Sequence, residues 1–297
     1  MATIRGFWFM SNNLTGTDGN DDMFGMGFAD IMHGGKLNDT MHGGDGNDQI
    51  FGDEGNDTLF GDDGDDKLFG GAQNDTLDGG KGDDTLFGGA DQDTFVDIRG
   101  NNAIDGGTGF DTVDYSDFFG GRVTVTLADS GLQGMAIRND LIRVVGGPGY
   151  LLEDGRDTLV SIENVVGTVD NDTIVGNSDA NVLRGGAGAD VVTGGGGADK
   201  FVFAEGEISS SGNDRITDFE SFDRIDLIGI DARTDVAGNN AFHFVDEFTG
   251  HSGELMIHRF QGETTVLGDT DGNGYYDLMI QVHEVTAGAL SQNDFIL

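Results

Sequence analysis

The chain has 297 residues, with 15 Lys+Arg against 54 Asp+Glu and a net charge of −39. That charge repels phosphate, which excludes nucleic acid and anionic membrane as simple electrostatic partners and favours cations. No cysteine is present, so disulfides and thiolate metal sites are excluded. No apolar run reaches the ~18 residues of a spanning helix, so no membrane insertion is expected.

Residues 1–15, MATIRGFWFMSNNLT, read as a lead-in or cap. The apolar run at 7–10 is shorter than the roughly 7–15 residues of a signal-peptide core, so export by the usual amino-terminal route is not expected. From Gly16 the chain repeats every nine residues as G-G-x-G-x-D-x-U-x, with U a large apolar residue. Position 6 is Asp21, Asp30, Asp39, Asp48, Asp57, Asp66, Asp75, Asp84 and Asp93, and position 8 runs from Met23 to Phe95 in the same frame. Two looser copies follow, with Asn102 and Asp111 at position 6, so the first block spans 16–114.

Residues 115–166 hold an alternating run, RVTVTL, and a more apolar run, LIRVV. They read as a β-rich linking segment packed beside the repeats. The nonapeptide returns at 167–202, with Asp172, Asn181, Asp190 and Asp199 at position 6. Residues 203–297 mix short apolar runs (RIDLIGI, FHFV, ELMIHRF, TTVLG, LMIQV) and read as a β cap, needed because an open sheet edge invites aggregation.

In each copy the Gly/Asp-rich hexapeptide makes a turn, since glycine tolerates positive φ. The triplet x-U-x makes a short strand with U inward and positions 7 and 9 outward. Two copies close one coil, and stacked coils form a right-handed parallel β-roll solenoid, an all-β fold in two blocks. One buried side chain per copy contributes roughly 1.5–3 kcal/mol, whereas ordering each backbone residue costs about 1 kcal/mol or more. Residues 16–96 also hold 20 acids against 3 bases. Burial alone therefore does not hold the coils together.

Position-6 carboxylates and turn carbonyls from stacked copies offer cages of hard oxygens, which suit Ca²⁺ better than Zn²⁺ or Mg²⁺. Several calcium ions are expected, with binding energy serving as folding energy. The candidate ligands are the position-6 aspartates of both blocks, Asp111 included.

A further candidate is DTDGNGYYD, where Asp269, Asp271, Asn273 and Asp277 fall at EF-hand loop positions 1, 3, 5 and 9, with Gly274 at the turn. Position 12 is Ile280, so two readings stay open: a calcium loop, or a polar hairpin turn. The outward column Thr40, Thr58, Thr76, Thr94 and Thr112 either simply suits short strands or presents a regular polar face to a glycan or to ice. The column His33, Phe51, Phe69 and Phe87 is either covered or stacked within the fold, or is a docking face. The histidines show no metal spacing.

Copies such as GGDGNDQIF, GGKGDDTLF and GGAGADVVT resemble the RTX, or hemolysin-type, calcium-binding repeat. NDRITDFESFDRIDL and the run to LSQNDFIL resemble the carboxy-terminal region of serralysin-type secreted metalloproteases. The resemblance implies secretion through a type I channel, an uncleaved carboxy-terminal signal within 203–297, and folding on extracellular calcium. It implies no catalysis here: His283-Glu284 is followed by Val285, Thr286 and Ala287, so the HExxH zinc motif is absent, and residues 1–15 hold no catalytic domain. Other readings are a polysaccharide-associated module, as in alginate-modifying enzymes with similar repeats, acting in adhesion, matrix or symbiosis, and an enzyme with an unrecognised site.

Overall fold

The computed structural model describes residues 2–117, 121–129, 133–140, 155–207, 213–285 and 290–297. Among them the regular structure is β-strand, with one 3₁₀ turn at Gln292–Asp294. The chain forms two compact units, Met1–Phe118 with Leu127–Asn164, and Phe119–Thr126 with Val165–Leu297.

In the first unit successive strands alternate between two parallel sheets. One runs Ala2–Arg5, Asp21–Gly27, Thr40–Asp45, Thr58–Asp63, Thr76–Gly80, Thr94–Ile98, Thr112–Asp114. The other runs Asn13–Thr15, Ile31–Lys36, Gln49–Glu54, Lys67–Ala72, Thr85–Ala90, Ala103–Thr108, Arg156–Val160, with Gly134–Asp140 pairing antiparallel on the last. The position-8 residues pair in strict register: Met23, Met41, Leu59, Leu77, Phe95 and Val113 on one sheet. Met32, Ile50, Leu68, Leu86, Ile104 and Leu159 do so on the other. These twelve side chains are 0–2% exposed and form the apolar interior of the roll.

Thr173–Val175, Val182–Arg184 and Val191–Thr193 in the second block are triplets as expected, whereas most strands of the first block are longer. Thr58–Asp63, for example, includes the first three residues of the next copy. Those residues stay hydrogen-bonded to their neighbours while position 2 takes positive φ: Gly44 (φ 103°) pairs with Asp62 (φ 72°). The column at position 9 stacks on itself. His33–Phe51, Phe51–Phe69 and Phe69–Phe87 centroids lie 4.5, 4.7 and 5.0 Å apart, with planes within 6°. Phe24, His42 and Phe60 form a matching column on the other sheet. The rings cover each other's faces and leave their edges to solvent.

In the second unit Gly121–Thr126, Thr173–Val175, Val191–Thr193, Asp214–Phe219 and Leu278–Glu284 pair in parallel. The antiparallel strands Glu263–Asp269 and Glu254–Phe260 extend that sheet. Val182–Arg184, Lys200–Ala204, Arg224–Gly229 and Phe295–Ile296 make its parallel companion. The run RVTVTL, expected in a sheet beside the repeats, is instead a rung of the roll: its strand pairs with Thr173–Val175, with Val123 and Val125 buried. Its alternation suits a coil strand as well as a separate sheet. The run LIRVV lies outside the described residues.

Candidate metal centre

Each position-6 carboxylate has two different jobs. Its Oδ1 accepts the backbone N–H of the position-6 residue 18 earlier. Asp48 N donates to Asp66 Oδ1 at 2.7 Å, Asp57 N to Asp75 at 2.8 Å, Asp66 N to Asp84 at 2.8 Å and Asp75 N to Asp93 at 2.8 Å. The pattern begins with Asp21 N to Asp39 and Asp30 N to Asp48, and continues to Asp93 N on Asp111. A turn can close this contact only when the coil beside it is in register.

The second oxygen is orphaned. Oδ2 of Asp30, Asp39, Asp48, Asp57, Asp66, Asp75, Asp84, Asp93, Asp111, Asp190 and Asp214 is buried and accepts no hydrogen bond. Burying even a neutral acceptor without a partner costs about 1–3 kcal/mol, and a charged one more. Backbone carbonyls share that space. A Cβ built on Gly61 would lie 2.5 Å from Asp66 Oδ2 and 2.4 Å from the Gly79 carbonyl oxygen; one on Gly88 would lie 2.4 Å from Asp93 Oδ2 and 2.6 Å from Gly106 O. Glycine at position 1 thus leaves a small space where a carboxylate oxygen and a carbonyl from the next coil converge.

The first turn shows what such a convergence demands. There the carboxylate is replaced by an amide, Asn12. Its Nδ2 lies 3.2 Å from Phe7 O, 3.0 Å from Met10 O, 3.2 Å from Gly25 O and 2.9 Å from Asp30 Oδ1. One amide group, with two hydrogens to give, lies within 3.2 Å of four oxygens from two turns. Asn102 Nδ2 likewise donates to Arg99 O at 3.0 Å. An ionised aspartate at this place has no hydrogen to give, so the same oxygens then require a proton or a positive centre from elsewhere. Oxygen donors only, at least one of them a carboxylate, fit calcium. Two predicted ligands are partly satisfied by protein: Oδ2 of Asp21 accepts Thr17 N at 2.6 Å, and Oδ2 of Asp172 accepts Thr168 N at 2.5 Å and Thr168 Oγ1 at 3.0 Å.

Electrostatics follow the same gradient. Burial pushes the carboxyls up, to about 6 at Asp48, about 7 at Asp57, Asp84 and Asp93, and about 8 at Asp66 and Asp75. The amide each one holds pulls down, and neighbouring carboxylates push further up. Burial also raises Asp30, Asp39 and Asp111. At Asp21 burial again raises, but hydrogen bonds from Ala2 and Thr17 outweigh it and the group stays below its ordinary value. In the second unit burial lifts Asp172 to about 6, Asp199 and Asp214 to about 7, and Asp190 to about 8. A nearby divalent ion reverses such shifts.

The ladder also holds residues outside the nonapeptide frame. Asn102 N donates to Asp157 Oδ1 at 3.0 Å, Asp190 N to Asp214 Oδ1 at 2.9 Å and Asp199 N to Asp223 Oδ1 at 3.0 Å. The separations are 55, 24 and 24 residues. The signal was the triplet D-x-U: Asp157-Thr158-Leu159, Asp214-Arg215-Ile216 and Asp223-Arg224-Ile225. Inserted residues move these triplets out of the nine-residue frame.

Carboxylate oxygens of Asp269, Asp271 and Asp277 lie within 4.8 Å of one another in the hairpin between Glu263–Asp269 and Leu278–Glu284. This turn largely satisfies itself. Asp269 accepts Gly272 N at 2.7 Å and Gly274 N at 2.8 Å, Asp277 Oδ2 accepts Thr270 N at 2.9 Å, and Asn273 Nδ2 donates to Asp271 Oδ2 at 2.9 Å.

The spacing of the repeats finds its counterpart among known families: residues 15–42, 24–59, 33–68 and 60–95 match the RTX calcium-binding nonapeptide repeat. The chain carries RTX calcium-binding repeats. Beyond the first RTX block, residues 155–297 match the family described as Peptidase M10 serralysin C terminal. Neither match is to a catalytic domain. No curated protein matches the chain. Among solved structures, extracellular lipase LipA from Serratia marcescens is similar over 95% of this chain, at 13% identity and a TM-score of 0.27. The chain spans 40% of that lipase's length.

Proposed function

We infer that this is a secreted calcium-binding RTX protein, exported through a type I channel and folded by several calcium ions outside the cell. The observation that carries the reading is the row of eleven buried aspartate oxygens without a hydrogen-bond donor. The residues that would hold calcium are Asp30, Asp39, Asp48, Asp57, Asp66, Asp75, Asp84, Asp93, Asp111 and Asp190, joined by Asp214. Carbonyls of the position-1 glycines converge on the same spaces. Asp21, Asp172 and Asp199 would take part at block ends, and Asp269, Asp271, Asn273 and Asp277 would form a separate, weaker site.

What calcium supplies is positive charge at oxygens the protein leaves unpaired. Extracellular modules bind it at about 10⁻⁴–10⁻³ M, far above cytosolic levels, so the chain stays unfolded until it has left the cell. Both matched families support export. No observation favours the polysaccharide reading.

The test is circular dichroism across a calcium titration, with metal content counted by mass spectrometry. Calcium should bring up the β signal, with several ions bound per chain. A full β signature in rigorously metal-free buffer overturns the reading.

A further inference from the structure

The turn formed by residues 6–12 departs from the nonapeptide turns that follow it. Before it, strand register to the next coil is 19 residues (Arg5 with Phe24); after it, 18 (Asn13 with Ile31). The turn is therefore one residue longer than a repeat turn. Where other copies place glycine and acid, it places Phe7, Trp8, Phe9 and Met10, which are 58%, 73%, 58% and 48% exposed. The Trp8 backbone lies over Gly27, and beside Gly27 stand Met26 and Phe28, 43% and 57% exposed. Two stacked turns thus share one apolar ridge.

Burial does not account for this ridge: Phe9 meets Phe7 and Trp8, with ring centroids 5.6 and 6.0 Å apart, yet all three stay exposed. Met26 and Phe28 sit at φ 87° and 67°, where the next turn of the same edge has Gly44 and Gly46. Bulky side chains are strained there, and here they project into solvent rather than into a core. The turn itself holds together without them, through the Asn12 side chain.

Charge narrows the partner. Residues 2–17 contain no acid and one base, Arg5, in a chain of net charge −39. This stretch carries none of the acids that crowd the repeat turns from Asp18 to Asp93. The six side chains expose on the order of several hundred Å² of apolar surface, enough to mark an interaction site. That is less than the ~800 Å² per partner of a stable protein interface, and two such ridges on strongly acidic copies would meet against repulsion. Trp and Phe with a flanking Arg, and no acid, suit the lipid–water boundary, where aromatic rings settle at headgroup depth.

We propose that this ridge seats the folded protein on a zwitterionic lipid surface, with residues 7–10 entering the headgroup boundary. Trp8 is the chain's one tryptophan, so it reports directly. The full calcium-loaded chain is mixed with phosphatidylcholine vesicles while Trp8 emission, iodide quenching and vesicle co-sedimentation are followed. A blue shift, protection from iodide and co-sedimentation are expected. W8S/F9S should lower vesicle affinity at least about tenfold. M26G/F28G separates binding from folding: it relieves two strained positions, so thermal stability rises while vesicle affinity falls. Unchanged Trp8 emission with vesicles overturns the proposal. So does a lipid-independent blue shift with doubled mass, which would assign the ridge to a second copy.

Discussion

From Asp21 to Asp111 the first unit repeats its amide-to-carboxylate contact at a step of 18 residues. The second unit makes the same contact at 18 residues from Asp172 to Asp190, and at 24 from Asp190 to Asp214. The hydrogen-bond lengths barely differ, 2.7 and 2.9 Å. Loop length therefore does not set the register. The carboxylate that reaches back to the amide of the coil before it sets it, and residues between can be added. Among the described residues the units differ in what else they own: nine orphaned carboxylates in the first against two in the second, where Leu255, Val266 and Ile280 are buried in the strands 254–284.

The largest effect that sharpens this contrast is loss of calcium. With chelator at pH 8, hydrogen exchange should become fast throughout 16–114, while the antiparallel strands 254–284 keep more protection. Equal loss in both regions would break the comparison.

Next is pH. In metal-free buffer the folded values of Asp57, Asp66, Asp75, Asp84 and Asp93 lie at about 7 to 8, above the ~3.9 of an unfolded aspartate. Groups raised in this way favour the fold when protonated, and that stability is lost as pH rises through 7 to 8. The β signal in chelator should therefore grow as pH falls from 8 to 5. In calcium the slope should reverse, because protons compete for the ligands. The same slope in both buffers would mean that these carboxylates hold no metal.

Single rungs come third. Asp66→Ala leaves the buried Asp48 N–H without its acceptor and should cost about 1–3 kcal/mol in calcium. Asp66→Asn keeps an acceptor and loses the charge, so it should weaken calcium binding yet stabilise the metal-free form. Asp214→Asn should behave alike in the second unit, and equilibrium denaturation with and without calcium measures both. Asn12→Asp is the reverse experiment. It removes the amide that lies among four oxygens, costs about 1–3 kcal/mol without metal, and should make that turn newly responsive to calcium. Smallest is Phe69→Ala, which breaks stacking with Phe51 and Phe87 at about 0.5–1.5 kcal/mol, read as a shift in the denaturation midpoint.

Much of the roll was legible. The nine-residue frame named every inward residue from Met23 to Val113 and every position-6 side chain between them. The carboxy-terminal runs RIDLIGI, ELMIHRF and LMIQV all became strands. Asp157, Asp214 and Asp223 escaped because insertions carry their triplets out of frame. Asn12 escaped because its turn is a residue longer and aromatic, so nothing in its spacing resembles a repeat. The extra length of the first block's strands escaped because glycine at position 1 continues a strand as readily as it begins a turn.

By itself the sequence determined the period, the inward apolar column and the acid placed at every turn, since these depend only on local backbone preference and alternation. Only the tertiary structure decided which oxygen of each acid holds an amide and which is left bare. That division arises between residues 18 or more apart, and it exists only once one coil lies on the next.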